Sequence, residues 1–219
     1  MKNENKNCFY FALFSLFAFV LWTVLVRTFD VGLIGQNETA VGFATINKFI
    51  HNLTGVNMKL YVITDWLGLV PIFCVIGFGL LGLFQWIKQK SLFKVEGNIL
   101  ILGIFYIVVF AVYFFFEMVI INYRPILING NLEASYPSST TMLVMCVMPT
   151  TIIQFNIRIK NKILRICINN IIIFFIIFMV IGRLISGVHW FSDIVGGILL
   201  SIGLVMMYYF INNKFLLNK

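Results

Sequence analysis

The sequence predicts an all-α protein, a polytopic membrane helical bundle of about six transmembrane helices with an amphipathic helix at its outer surface. The first observation is composition, because 61% of the 219 residues are hydrophobic and only 11% are charged. The second is a mean hydropathy of +0.98, far above that of a soluble domain. The third is length. About six spans of roughly 20 residues fill the chain, so residues 1–219 are predicted to form a single membrane-embedded domain.

Six apolar runs predict the spans, at about 8–26, 61–84, 98–121, 141–156, 165–182 and 194–211. Pro149 interrupts the fourth run, which a transmembrane helix tolerates where its neighbours satisfy the freed carbonyl. The first run follows Lys2 and Lys6, but it is longer than the apolar core of a signal peptide. It also lacks a small-x-small cleavage site before Arg27, so we expect it to be retained as the first span.

Basic residues predict the orientation. The predicted cytoplasmic side carries eleven of them: Lys2, Lys6, Lys88, Lys90, Lys94, Arg158, Lys160, Lys162, Arg165, Lys214 and Lys219. The outer side carries five: Arg27, Lys48, Lys59, Arg124 and Arg183. This asymmetry predicts a multi-pass protein of the plasma membrane with both termini in the cytoplasm. Because topology and anionic lipid account for the net charge of +8, no nucleic-acid partner is expected.

The longest segment between spans, at about 28–60, predicts an amphipathic helix at about 38–53. Its apolar residues recur at helical spacing: Val41, Phe43, Ile46, Phe49, Ile50 and Leu53. Two placements are open. The helix lies on the outer membrane face, or it packs as a cap over the bundle.

Cysteine and histidine spacing argues against a metal site. The cysteines lie in four different apolar runs and form no C-x-x-C pair: Cys8, Cys74, Cys146 and Cys167. They are typical of small packing residues. The two histidines show no metal-binding spacing, so we expect neither a metal nor another cofactor.

Three polar clusters fall at the outer ends of the predicted spans: EMVIINYRP (117–125), YPSSTT (136–141) and GRLISGVHWFSD (182–193). Ionisable groups at membrane depth are costly, so such clusters are candidates for function. A closed bundle brings these span ends together, and we expect one site. In YPSSTT, a serine before an apolar run predicts an N-cap, and the same amides and hydroxyls form a possible anion cradle.

His189 and Asp193 are the strongest candidates for chemistry. They are four residues apart, one helical turn, so the carboxylate can accept from one ring nitrogen and leave the other free as a nucleophile or base. Arg124 and Arg183 offer guanidinium groups that pair bidentately with phosphate. The alternative is a purely structural hydrogen bond between His189 and Asp193, with arginines that extend to lipid headgroups.

Together the clusters resemble the type-2 phosphatidic acid phosphatase superfamily, whose motifs are K-x6-R-P, P-S-G-H and S-R-x5-H-x3-D. The matching residues, in chain order, are Arg124, Pro125, Pro137, Ser138, Arg183, His189 and Asp193. The order, the intervals and the six-span layout agree over most of the chain.

The resemblance implies a metal-independent phosphoryl transfer on a lipid phosphate. By analogy, His189 attacks phosphorus to form a phosphohistidine, and Asp193 orients and stabilises it. The groups that would hold the phosphate oxygens are Arg124, Arg183, Ser138, Ser139 and Thr140. Catalysis of this kind depends on positioning and on electrostatic stabilisation.

The sequence departs from these motifs at three positions. Glu117 replaces the lysine, Thr140 replaces the second histidine, and Gly182 replaces the serine of the third motif. Glu117 lies two helical turns before Arg124, so it could bridge to Arg124 or Arg183 or, if buried, act as an acid. Because threonine cannot protonate a leaving group at neutral pH, Thr140 favours a diphosphate, whose lipid monophosphate departs readily.

The sequence thus supports three functional hypotheses. The leading one is hydrolysis of an outward-facing membrane lipid phosphate or diphosphate, with a polyprenyl diphosphate favoured. The second is a catalytically impaired relative that binds lipid phosphates or partner proteins. The third is a small transporter or scramblase-like bundle, although the sequence shows no inverted repeat.

Overall fold

The structure, a computed structural model, describes residues 2–217 and the side-chain surroundings of residues 6–215. Within this range the chain forms eight α-helices: α1 (Lys2–Thr28), α2 (Ala44–Thr54), α3 (Met58–Leu67), α4 (Leu69–Gln89), α5 (Gly97–Met118), α6 (Ser139–Arg158), α7 (Lys162–Ile185) and α8 (Phe191–Leu217). Two short 3-10 turns lie at Gln36–Glu38 and Leu92–Lys94.

Six stretches of these helices are long and apolar enough to cross a membrane, which confirms the predicted polytopic all-α bundle. One of them, Met58–Gln89, combines α3 and α4 with a junction at Gly68. Pro149 lies inside α6, in the predicted fourth span. The third span is shorter than predicted, because the chain leaves the helical conformation at Val119, with φ −101° and ψ 87°.

α8 packs antiparallel to α1 and also contacts α2, α5, α6 and α7. Near one end of this pair, the rings of Phe9 and Phe210 lie 5.0 Å apart. Near the other end, the Trp22 indole donates to the Ser192 carbonyl over 3.0 Å. The second end carries the connection between α7 and α8, residues 186–190, and we call it the site end.

The predicted amphipathic segment forms α2, but the helix begins at Ala44 rather than near residue 38. Before it, Val41 and Gly32 exchange two backbone hydrogen bonds, with N–O distances of 3.0 and 2.9 Å. At Gly42, an added Cβ would lie 1.9 Å from the Val26 carbonyl oxygen. This extended bridge, packed against the end of α1, prevents an earlier start of the helix.

α2 packs as a cap over the bundle, and its placement on the outer membrane face stays a prediction. Its polar residue Asn47 is fully buried, with Nδ2 donating to the Gly42 carbonyl at 2.8 Å and to Ser192 Oγ at 2.9 Å. Its Oδ1 accepts from the Ser192 amide at 3.0 Å. In contrast, the apolar Phe49 and Leu53 are 66% and 75% exposed. α2 therefore caps the bundle through Asn47 and presents apolar side chains suited to a membrane interface.

A second attachment joins the end of α2 to the site end. Gly55 and Gly187 have φ values of +63° and +67°, and an added Cβ on Gly187 would lie 2.0 Å from the Gly55 carbonyl oxygen. The Asn57 amide also donates to the Ser186 carbonyl at 3.0 Å. Because positive φ and this close approach exclude a side chain, position 187 requires glycine.

We expect Asn47→Ala to destabilise the protein by about 1–3 kcal/mol, because it leaves the buried amide and hydroxyl of Ser192 without partners. Asn52→Ala, at an exposed position of the same helix, is the matched control and should cost less than about 0.5 kcal/mol. Unfolding of the purified variants in detergent measures both. Equal stability of the two variants would contradict a clamping role for Asn47.

Candidate active site

The three polar clusters of the sequence meet at the site end, around a cavity of about 750 Å³. Its polar lining comes from α3, α5, α6, α7 and the connection between α5 and α6: Tyr61, Asp65, Glu117, Arg124, Glu133, Ser139, Thr140 and Arg183. Its apolar lining includes Leu69, Ile72 and Phe110. Segments that are distant in sequence therefore share one cavity, as their polar clusters predicted.

His189 is buried, and its two ring nitrogens have different partners. Nδ1 lies 3.1 Å from the Ser135 carbonyl oxygen and 3.0 Å from Ser135 Oγ. Nε2 lies 3.4 Å from Arg124 Nη1 and 3.5 Å from Arg183 Nη2. Because a carbonyl oxygen only accepts, Nδ1 carries the hydrogen, and Nε2 presents its lone pair to the arginines.

The surroundings of His189 favour the neutral imidazole. Burial is the largest cause, and it lowers the pKa of His189 well below its ordinary value. The positive charges of Arg124 and Arg183 lower this pKa further, while the hydrogen bond to the Ser135 carbonyl raises it by less. His189 is therefore unprotonated at neutral pH, and its Nε2 can act as a nucleophile or base.

Asp193 is fully buried, but the predicted direct hydrogen bond to His189 is not found among the described residues. Oδ2 accepts from Ser135 Oγ at 2.5 Å and from the Trp190 amide at 2.9 Å, and Oδ1 accepts from Asn122 Nδ2 at 3.1 Å. His189 precedes α8, so the one-turn spacing within a helix does not apply to it. The hydroxyl of Ser135 instead links the carboxylate to the imidazole.

Ser135 and Asn122 belong to the site although the sequence did not single them out. Ser135 stands immediately before YPSSTT, and Asn122 lies inside EMVIINYRP. A backbone bridge between Tyr123 and Ala134 brings the two segments side by side. Proximity to the polar clusters is the one sequence signal that could have marked them, since their partners come from a different segment.

Each arginine also lies beside one carboxylate. Arg183 is only 1% exposed, and its Nη1 lies 3.6 Å from Asp65 Oδ1 and 3.4 Å from Thr64 Oγ1. Arg124 Nε lies 3.1 Å from Glu133 Oε2, close enough for an ion pair but without hydrogen-bond geometry. Arg183 Nε is buried with no hydrogen-bond partner among the described residues. A buried guanidinium with a free donor fits a site for an anion.

Glu117 lines the cavity but pairs with neither arginine among the described ion pairs, so the predicted bridge is wrong. The bridge to Arg124 required one helix to extend over both residues, whereas Arg183, the other predicted partner, lies on α7 and pairs with Asp65 instead. α5 ends at Met118, so Glu117 and Arg124 do not share a helical face. Glu117 is also exposed, whereas a role as an acid was expected to depend on burial.

The predicted phosphate-binding hydroxyls have two different environments. Ser139 and Thr140 line the cavity in the first turn of α6. Ser138 occupies the predicted N-cap position, but its side chain makes no capping hydrogen bond. Its hydroxyl is buried without a described partner, and its amide donates to the Asp193 carbonyl at 3.0 Å. Ser138 therefore retains a free hydroxyl next to the backbone of Asp193.

The fold and the site define a polytopic membrane protein with a buried histidine that faces two arginines at one end of its bundle. A sequence profile of the PAP2 superfamily matches residues 105–216, which are 112 of the 219 residues. The chain belongs to the PAP2 superfamily, and the resemblance inferred from the motifs is confirmed.

A solved structure with a similar fold is that of a transmembrane PAP2-type phosphatidylglycerolphosphate phosphatase from Bacillus subtilis. The TM-score is 0.66 at 16% sequence identity, and the match covers 94% of this chain and 97% of that chain. At this identity the likeness concerns the fold, which is that of a PAP2-type membrane phosphatase. Among curated proteins, none matches the chain.

We expect tungstate, a phosphate mimic, to bind the cavity and raise the melting temperature in detergent. Arg183→Gln should weaken this binding about tenfold or more, because a hydrogen bond to a charged group contributes about 1.5–3 kcal/mol. Arg27→Gln is the matched control, since Arg27 is an exposed arginine whose guanidinium donates to the Ile120 carbonyl instead. Equal tungstate affinities of the two variants would argue against an anion site at Arg183.

Proposed function

We propose that this protein is a plasma-membrane phosphatase that hydrolyses an outward-facing lipid phosphate or diphosphate, with a polyprenyl diphosphate as the favoured substrate. The observation that carries the proposal is the position of His189 Nε2, which lies behind the cavity lining and within 3.4 and 3.5 Å of Arg124 and Arg183, two residues that line it. A phosphate held by the two guanidinium groups would present phosphorus to that nitrogen. Membership of the PAP2 superfamily supports the reaction class, and the distribution of basic residues supports the orientation.

The proposed reaction has two steps and uses no metal. His189 Nε2 attacks phosphorus, the N–P bond forms, and the bond from phosphorus to the leaving oxygen breaks. A phosphohistidine results, and the leaving group departs as a lipid monophosphate anion or, from a monoester, as an alkoxide that takes up a proton from water. Water then attacks phosphorus, the N–P bond breaks, and inorganic phosphate leaves. Arg124 and Arg183 would stabilise the negative charge on the transferred oxygens throughout.

Asp193 and Ser135 position the nucleophile in this proposal. The Ser135 carbonyl fixes the hydrogen on Nδ1, and attack by Nε2 places a positive charge on the ring. The Asp193 carboxylate stabilises that charge through the Ser135 hydroxyl, which hydrogen bonds to it. The hydroxyls of Ser138, Ser139 and Thr140 are further donors for the phosphate oxygens.

The chemistry of the leaving group favours a diphosphate. Thr140 lines the cavity, and a threonine hydroxyl cannot protonate a departing alkoxide at neutral pH. A departing lipid monophosphate does not need that proton. The Bacillus subtilis protein is named for phosphatidylglycerolphosphate, so this lipid is the natural comparison substrate.

A second candidate function is binding of a lipid phosphate without turnover. Asp65 and Glu133 lie beside the arginines, and Glu117 adds a third carboxylate to the same cavity. A dianionic phosphate must displace these carboxylates or tolerate their repulsion. Because the same carboxylates would also oppose the negative charge on the oxygens of the transferred group, they are the observation that favours binding without turnover.

We expect the purified protein, treated with a metal chelator, to release inorganic phosphate from a polyprenyl diphosphate faster than from phosphatidylglycerolphosphate. His189→Ala should abolish release and prevent trapping of a phosphorylated enzyme, because the nucleophile is lost. His51→Ala, which removes the other histidine of the chain, should retain both. Absence of turnover across both lipids and phosphatidic acid would reject the enzyme and favour the binding function.

Ser135→Ala should lower kcat about tenfold to a hundredfold with little change in KM, because the hydrogen bond it removes acts on a charged group. The acid limb of the kcat/KM profile should move to lower pH, since loss of the hydroxyl oxygen beside Nδ1 lowers the pKa of His189 further. Ser135→Thr keeps the hydroxyl and should restore both properties. If the alanine and threonine variants share one kcat and one pH profile, Ser135 does not position the nucleophile.

A further inference from the structure

An apolar groove of about 580 Å³ lies between α4 and α5 and extends from Phe110 toward the end of the bundle opposite the site end. Three glycines line it: Gly79, Gly82 and Gly103. An added Cβ on Gly79 or Gly103 would meet no atom of the described residues within 4 Å. Side chains at Gly79 and Gly103 would therefore extend into the open space of the groove.

The groove continues the cavity at the site end, since Phe110 lines both. On α5 the lining of the two follows one helical face: Glu117, Tyr113, Phe110, Ile107, Gly103 and Leu100. On α4 it follows Leu69, Ile72, Val75, Gly79, Leu83 and Trp86. Steps of three or four residues keep each set on one side of its helix. One continuous track, which we call the α4–α5 track, therefore runs from the cavity toward the opposite end of the bundle.

The α4–α5 track is longer than one membrane leaflet. Leu100 and Glu117 are 17 positions apart in the sequence. At a rise of 1.5 Å per residue, that separation is about 26 Å along α5. The hydrocarbon core of a bilayer is about 30 Å thick, so one leaflet contributes about 15 Å. The tails of a diacyl lipid end near the midplane and would occupy only the half of the track nearer the cavity.

We propose that the α4–α5 track binds the hydrocarbon chain of the substrate, and that its length selects a polyprenyl chain long enough to cross the midplane. This inference rests on the proposed function, because the phosphate of the same lipid must lie in the cavity. Each methylene group that reaches the groove gains van der Waals packing against its walls that a short chain cannot make. The arginines would then select the head group, and the groove would select chain length.

Gly103→Leu and Gly79→Leu test the proposal by filling the groove. An added Cβ meets no described atom within 4 Å at either position, and leucine is a better helix former than glycine. The KM for a long polyprenyl diphosphate should rise severalfold, because the leucine side chain takes the place of the lipid chain against the groove walls. The KM for geranyl diphosphate, whose chain is too short to reach Gly103, should stay unchanged.

Gly77→Leu is the matched control. Gly77 also lies on α4 with open space around an added Cβ, but it does not line the groove, so both KM values should equal those of the wild type. An unchanged ratio of the two KM values in both groove variants would overturn the inference and leave the phosphatase proposal intact. Absence of turnover with both diphosphates would instead overturn the proposed function. The role of the groove would then be tested by measuring the binding of a polyprenyl phosphate.

Photolabelling measures that binding without turnover. A polyprenyl phosphate with a photoreactive group at its chain end should label the peptide that contains Trp86, at the far end of the groove. Excess unlabelled polyprenyl phosphate should suppress the labelling, and Gly103→Leu should reduce it severalfold because it fills part of the groove. Equal suppression by phosphatidic acid would identify an ordinary membrane lipid in the groove. That result, or labelling unaffected by Gly103→Leu, would overturn the inference.

Discussion

The rest of the site depends on holding two positive charges close together. The guanidinium groups of Arg124 and Arg183 lie 3.4 and 3.5 Å from the same nitrogen, His189 Nε2. Like charges this close repel each other strongly where little water screens them. Asp65 and Glu133 lie beside the two cations, and the imidazole stays neutral instead of adding a third positive charge. The positive charge of both guanidinium groups is therefore already countered in the cavity, and an anion that binds there must take the place of Asp65 and Glu133.

The fold gathers these groups from segments that lie far apart in the sequence. Arg183 stands near the end of α7, Arg124 follows α5, and His189 lies in the connection between α7 and α8. The connection before α6 contributes Ser135, whose backbone and side chain both reach the imidazole. α2 contributes Asn47, which fixes the start of α8. The geometry of the imidazole thus depends on packing between helices as well as on residues in the cavity.

The number of spans and the convergence of the polar clusters could be predicted, because hydropathy and cluster position are properties of the local sequence. The hydrogen bonds and ion pairs between particular side chains could not be predicted, because they depend on where the helices end. The expected bonds from Asp193 to His189 and from Glu117 to Arg124 both assumed an unbroken helix, and a helix boundary falls inside each pair. Ser135 was missed because connections have no periodicity from which a partner can be inferred. The roles of the hydroxyls at the start of α6 remain predictions.

The contact between Gly55 and Gly187 holds the end of α2 against the loop that carries His189. Because this contact is made of main-chain atoms, its geometry does not depend on the side chains on the exposed face of α2. With Asn47 retained, exposed positions such as Phe49 and Leu53 can change to suit membranes of different lipid composition. Such changes would leave the loop that carries His189 in place. The exposed apolar surface of α2 and the reaction centre are therefore free to evolve independently.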